Sequence, residues 1–244
     1  MKNYKLIIQY DGTNYAGWQI QKNAVTVQQK ITSAIVTLTK EEINLIGSGR
    51  TDSGVHALGQ TANFRCEKEI DTYKFQYSLN CILPDDISVI STQEVDENFH
   101  ARFKAKQRAY LYFINEMKSP FYKKYSYQHP AFKEVSIDFL NEMSKTLLGE
   151  NDFTSLSKKN SETENKICNI YNAHWKRTGG FIIFYINADR YLHGMVRTIV
   201  GSLLFAEKNK LEKKYLLDVI SQMDREVAAE SAPAKGLFLY KVRY

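Results

Sequence analysis

Strand-length apolar runs and helix-length amphipathic runs alternate along this chain, and their order leaves few folds open. Lys5-Leu6-Ile7-Ile8-Gln9-Tyr10 is dense in β-formers and stops at the turn pair Asp11-Gly12, which predicts a strand over 4–10. Between Thr26 and Thr39 the apolar residues Val27, Ile31, Ala34, Ile35 and Leu38 recur at helical spacing, with Thr26 placed to cap the first turn. Strands are expected at 43–46 and 59–65, then a helix at 72–81 and a strand at 87–95. The second half begins near Phe99 and roughly repeats this order with insertions. It holds a strand at 108–114, a helix at 136–148, strands at 166–177 and 181–187 joined by Thr178-Gly179-Gly180, helices at 191–205 and 211–223, and a last strand at 236–242.

Split strand-helix-strand motifs give antiparallel sheets with helices on one face, leaving the other face for a ligand. The expected class is therefore α+β: two similar split β-α-β (RRM-like) halves, residues 1–98 and 99–244, whose antiparallel sheets adjoin to form a central active-site cleft. No low-complexity linker separates them; 155–164, rich in Ser, Lys and Asn, reads as a mobile surface loop. At 244 residues, 43% hydrophobic and 25% charged, the composition is that of a soluble globular protein. No apolar run approaches the roughly 20 residues of a membrane helix. Met1-Lys2-Asn3-Tyr4-Lys5 leads into a strand pattern and not a signal-peptide core, so a cytoplasmic protein without a membrane partner is expected. Cys66, Cys81 and Cys168 are odd in number and widely spaced, which argues for buried free thiols over a disulfide framework or zinc site. A net charge of +6 suits a polyanionic partner without identifying one.

Gly47-Ser48-Gly49-Arg50-Thr51-Asp52-Ser53-Gly54 packs three glycines around an Arg and an Asp between two expected strands. A phosphate-loop reading fails because Val55-His56 stands where Lys and Ser or Thr are required. A dinucleotide fingerprint fails because no helix pattern follows directly. Spacing alone leaves two readings: a loop that contacts a ligand, or a Gly-rich turn whose Asp52 caps local amides. Asp52 and His56 lack the matching acidic or His pair that a metal site needs. A glycosidase would need a second carboxylate as proton donor, and spacing leaves that open.

Tyr10, Tyr15 and Trp18 surround the loop 11–19, and Tyr110 and Tyr112 alternate onto one strand face. Interleaved with Arg102, Lys104, Lys106 and Arg108, they read either as a stacking platform beside phosphate-binding charge or as ordinary core and edge aromatics. The helix expected at 191–205 carries an apolar stripe of Leu192, Met195, Val196, Ile199, Val200 and Leu203. Arg197 lies close to that stripe and so wants a partner, whereas Arg190 and His193 read as a solvated flank.

Four separated segments resemble the TruA-like tRNA pseudouridine synthases. They are Tyr10-Asp11-Gly12-Thr13-x-Tyr15-x-Gly17-Trp18-Gln19; Gly49-Arg50-Thr51-Asp52-Ser53-Gly54-Val55-His56-Ala57-x-Gly59-Gln60; Phe99-His100-Ala101-Arg102-Phe103 with Arg108-x-Tyr110-x-Tyr112; and Met195-Val196-Arg197-x-Ile199-Val200-Gly201. The closing Ala232-Pro233-Ala234-x-Gly236-Leu237-x-Leu239 is similar to the family's C-terminal segment. Ser53, Ala109, Ala234 and Leu192-His193-Gly194 depart from the usual pattern, none at a residue to which the family assigns chemistry.

The resemblance implies an isomerase that needs neither metal nor organic cofactor. It cuts the bond between uracil N1 and ribose C1′ and rejoins the base through C5. It also implies catalytic roles for Asp52, Tyr110 and Arg197: Asp52 attacks or deprotonates the sugar, Arg197 pairs with Asp52, and Tyr110 stacks on the base and relays a proton. Arg50 would fill the space left by a flipped uridine or hold its backbone, and Arg102, Lys104 and Arg108 would track phosphates. The implied substrate is uridine at positions 38–40 of the tRNA anticodon stem-loop, and the implied assembly a homodimer. The alternatives are a non-enzymatic RNA-binding module on the same fold, and a pseudouridine synthase with another RNA target.

Overall fold

A computed structural model of the chain describes residues 1–159 and 164–244. These form two compact units, Met1–Lys106 with Leu239–Tyr244, and Gln107–Phe238. The expected halves have a single cut at 98/99; the compact units are cut at 106/107 and again at 238/239.

The first unit comprises β1 (Lys2–Tyr10), α1 (Val27–Thr39), β2 (Ile46–Gly47), β3 (His56–Cys66), α2 (Thr72–Ile82) and β4 (Ile87–Val95). β1 lies between β3 and β4 and is antiparallel to both. Strand side chains alternate, so Tyr4, Leu6 and Ile8 share one buried face with Ala62 and Phe64. Tyr4 stacks on Phe64 at 5.6 Å, and Phe64 meets Phe75 of α2 at 5.9 Å. Both helices are capped as their sequences allow: Thr26 accepts from Gln29 N, and Asp71 from Lys74 N. The strand expected at 43–46 is reduced to the pair Ile46–Gly47 on β3. The Gln28 side-chain amide donates to Leu45 O at 2.7 Å and takes a carbonyl that a longer ladder would use.

The second unit comprises β5 (Gln107–Asn115), β6 (Tyr127–Gln128), α3 (Ile137–Ser144), β7 (Gly149–Asp152), β8 (Ile167–Thr178), β9 (Phe181–Ala188), α4 (Met195–Lys208) and α5 (Tyr215–Ser221), and enters β10 (Leu237–Arg243). Its strands run β5-β9-β8-β7, all antiparallel, with β6 parallel to β5. Gly179 (φ 57°) and Gly180 (φ 78°) make the tight turn between β8 and β9, where both positions need positive φ. Trp175 stacks on Phe184 at 4.5 Å, and its indole N–H donates to Ser144 Oγ at 3.0 Å, fixing α3 to the sheet.

Several expectations need correcting. The helix drawn over 191–205 starts only at Met195, because Gly194 sits at φ 73° and breaks the helical path. Arg190 and His193 are therefore not on a helix flank: Arg190 N–H donates to Asp189 Oδ1 (2.6 Å), and the His193 carbonyl accepts from Lys158 N (2.8 Å). The helix drawn over 211–223 shrinks to α5, bracketed by Lys210 (φ 51°) and Met223 (φ 50°). The one drawn over 136–148 stays α-helical to Ser144 and ends in a 3-10 turn, Lys145–Leu147. In the supposed surface loop 155–164, Ser155, Leu156 and Ser157 are buried, and 160–163 lie outside the described residues. Cys66 and Cys168 are buried free thiols, which burial pushes up to about 11 and about 12; Cys81 is exposed, contrary to expectation. Neither β6 nor β7 was expected.

The architecture is thus mixed α+β, with mostly antiparallel strands and five α-helices among the described residues. No helix among them is long and apolar enough to cross a membrane.

Candidate active site

Asp52 lies in the loop between β2 and β3, and residues 11–19, which follow β1, hold that loop from beneath. The register requires this neighbourhood, since Tyr10 pairs with Ala57 just past the loop. Gly12 approaches so closely that an added Cβ would lie 2.0 Å from Val55 O; at Gly17 (φ 94°) it would lie 2.4 Å from Thr51 O. Only glycine fits at these two positions. Trp18 N donates to Thr51 O (3.1 Å), and Ser53 Oγ to Tyr15 O (3.2 Å). Tyr10 and Thr51 hydroxyls share a bond at 2.8 Å, and Gly47 lies flat on the Trp18 indole. Upstream, Ser48 Oγ donates to Gln60 Oε1 (2.6 Å), whose Nε2 donates to Gly49 O (2.9 Å). Tyr15 is tied in turn to the Asp86 carboxylate, and burial with that acid raises its phenol pKa.

Both flanks of Asp52 are therefore pinned, with Asp52 half-buried and Arg50 exposed. Buried His56 serves structure. Its Nδ1 lies 3.1 Å from both Gly12 N and Asp11 Oδ1. The amide is an obligate donor, so Nδ1 accepts from it and cannot also donate to the carboxylate.

In the same unit, Asn63 orders the segment that begins at Phe99. Its Nδ2 donates to Asn3 Oδ1 (3.0 Å), and its Oδ1 accepts from Ala101 N (2.8 Å). Beyond that anchor Phe103 stacks on His100 at 4.3 Å and exposed Arg102 lies 5.5 Å over Phe103, with Lys104 also exposed.

In the second unit, Tyr110 on β5 is 7% exposed and meets the edge of Tyr191 at 5.1 Å and 87°. Tyr112 is a core residue and not part of a stacking platform. It is wholly buried, donates to Pro233 O at 2.9 Å, and burial raises its phenol pKa despite nearby Arg197. Arg197 stands in the first turn of α4, half-buried; its Nε donates to Ala232 O (2.8 Å), and Ala232 N donates back to Arg197 O (3.0 Å). Arg108 donates through Nη1 to Asp189 O at 2.7 Å, so part of its donor set holds backbone.

The structure thus places Asp52, Arg50, Arg102 and Lys104 in the first unit, and Tyr110, Arg108 and Arg197 in the second. The sequence reading missed the supporting roles of Gly12 and Gly17, and it missed Tyr191. Tyr191's hydroxyl is buried with no hydrogen-bond partner among the described residues, and burial pushes its phenol well above the usual tyrosine range. The sequence carried no signal for it beyond its place at the head of an expected helix.

The family described as tRNA pseudouridine synthase matches residues 6–104 and 143–244. The tRNA pseudouridine synthase A of Clostridium acetobutylicum is 42% identical over 246 residues, covering 100% of both chains. That of Thermoanaerobacter sp. (strain X514) is 39% identical over 246 residues, again covering 100% of both. A solved Cbf5-Nop10-Gar1 complex aligns with 82% of this chain and 53% of its own at 11% identity and a TM-score of 0.34, too low to bear on the fold. With identity at this level along its whole length, the chain belongs to the TruA-like tRNA pseudouridine synthases and is an isomerase.

Proposed function

We propose that this chain converts uridine to pseudouridine at positions 38–40 of the tRNA anticodon stem-loop, with Asp52 starting the reaction. The observation that carries this is the pinned loop: a half-buried carboxylate whose neighbours are fixed by Gly12, Gly17, Trp18 and Gln60 is presented to a substrate without reorganisation. The N1–C1′ bond breaks, the C5–C1′ bond forms, C5 loses its proton and N1 gains one. No oxidation occurs, so the balance needs no cofactor. Attack on C1′ and removal of a sugar proton both begin from an ionised carboxylate.

Arg197 and Tyr110 are the partners proposed for Asp52. In this reading the Arg197 guanidinium pairs with the Asp52 carboxylate. With Nε on Ala232 O, the Nη nitrogens of Arg197 are the donors suited to a carboxylate. Tyr110 stacks on the base and relays the C5 proton. A uridine stacked in the stem-loop must flip to reach Asp52. Arg50, exposed in the same loop, fills the vacated space or holds the backbone, and Arg102, Lys104 and Arg108 track phosphates. The enzyme works as a cytoplasmic homodimer on tRNA.

The test is incubation with unmodified tRNA followed by pseudouridine mapping. Conversion at 38, 39 or 40 is expected; conversion confined to sites outside the anticodon arm would overturn the target, and none at all would overturn the activity.

A further inference from the structure

Single exposed apolar side chains are ordinary on a protein surface, but four within nine residues are not. Between β5 and β6, Met117 is 72% exposed, Phe121 81%, Tyr122 48% and Tyr125 40%. The loop that carries them is well anchored. β6 closes it by pairing Tyr127 with Ile114, and Tyr125 N and Ser126 Oγ both donate to Tyr122 O (3.0 and 2.9 Å). Asn115 Nδ2 donates to Met117 O. The Tyr122 ring meets the edge of Phe181 at 5.0 Å. With Tyr122 drawn onto Phe181, its neighbour Phe121 stays in water on a fixed backbone.

Lys118, Lys123 and Lys124, each within three residues of Phe121 along the chain, are exposed. The one acid in the loop, Glu116, is held by Lys133 at 3.0 Å, and among the described residues no carboxylate pairs with Lys118 or Lys123. A second copy brought onto the loop about a twofold axis would set lysine against lysine. An apolar partner would strip water from ammonium groups without replacing it. A polyanion with flat π faces satisfies both parts of the patch, with phosphates for the lysines and a base for the ring.

We infer that the loop 116–125 is a second RNA-contacting element, in which Phe121 stacks on an unpaired base and Lys118, Lys123 and Lys124 hold the flanking phosphates. The inference rests on the tRNA-modifying activity proposed above and adds to it a contact away from the target uridine.

The test compares wild type, Phe121→Ala and the double variant Lys118→Ala/Lys123→Ala. It measures tRNA affinity as a function of salt, and pseudouridine formation on full-length tRNA. Phe121→Ala should weaken affinity roughly 5- to 100-fold, the range that one lost base stack gives, and raise KM while kcat holds. The double variant should lower the salt slope by about 2. These side chains are exposed, so melting temperatures should match wild type and confirm folding. Unchanged affinity and salt slope in both variants would overturn the inference. So would a change of oligomeric state in Phe121→Ala with RNA affinity intact, which would make the loop an interface between copies. Wild type that binds tRNA with this loop dependence yet converts no uridine would sink the proposed activity and leave the loop's contact standing, so the two failures are distinguishable.

Discussion

Asp52 and Tyr191 pose opposite questions about single side chains. Asp52→Asn keeps the shape of the loop and removes only the charge, so pseudouridine formation should fall by at least about 10³-fold while tRNA affinity stays within a few-fold. Single-turnover assays beside filter binding check this, and full activity would end the assignment. Tyr191 has a buried hydroxyl with no partner among the described residues and a ring whose edge meets Tyr110. Leaving a buried polar group unpaired is costly, so Tyr191→Phe should raise stability by about 1 kcal/mol and keep turnover. Tyr191→Ala should free the Tyr110 ring and lower kcat more than it raises KM; equal kcat in the two variants would contradict a positioning role. Asp52 stands out in the sequence because its segment carries an ordered set of residue types, and the assay above decides its role. Tyr191 does not stand out, since an orphaned hydroxyl exists only once the strands around it have paired.

At the scale of elements, two glycines with positive φ separate function from mere geometry. Gly17 (φ 94°) has no room for a Cβ beside Thr51 O, whereas a Cβ added at Gly179 (φ 57°) would meet nothing within 4 Å among the described residues. Gly179→Ala should cost only the left-handed backbone strain, about 1–2 kcal/mol, and leave turnover alone. Gly17→Ala carries that strain and also pushes the Asp52 loop aside, so kcat should drop at least about tenfold; urea titration and kinetics on both variants check the contrast. Elements with strong local signals were readable: α1 from its apolar spacing and the Thr26 cap, β4 from its bounded run, and the β8–β9 turn from Gly179-Gly180. Helix starts and stops set by one backbone angle were not. Residues 191–194 continue the apolar stripe of α4 in sequence, yet the left-handed Gly194 ends it, and Met223 (φ 50°) closes the path just beyond α5.

At the scale of the molecule, the chain's last six residues return to the unit that its first residues build. Lys106 N donates to Arg243 O (2.8 Å) and Tyr244 donates to Ala101 O (2.9 Å). The Tyr244 ring also packs on Phe99 at 4.9 Å. Gly59 passes so close that an added Cβ would lie 2.6 Å from Tyr240 O. Deleting 239–244 should therefore expose the edge of β3 and strongly lower the melting temperature, while Tyr244→Ala alone should cost about 1–2 kcal/mol. An unchanged melting curve for the deletion would show that the tail is dispensable to the first unit. The sequence by itself determined the α+β class and most strand and helix positions, and it singled out the Asp52 loop as the candidate to test, because side-chain periodicity and residue order are local properties of the chain. Only the tertiary structure decided that β10 joins β3, that residues 11–19 support Asp52, and that Tyr112 is core while Tyr110 meets Tyr191. Strand pairing runs through backbone groups common to nearly every residue, so a strand's sequence reports which face is buried but not which partner it takes.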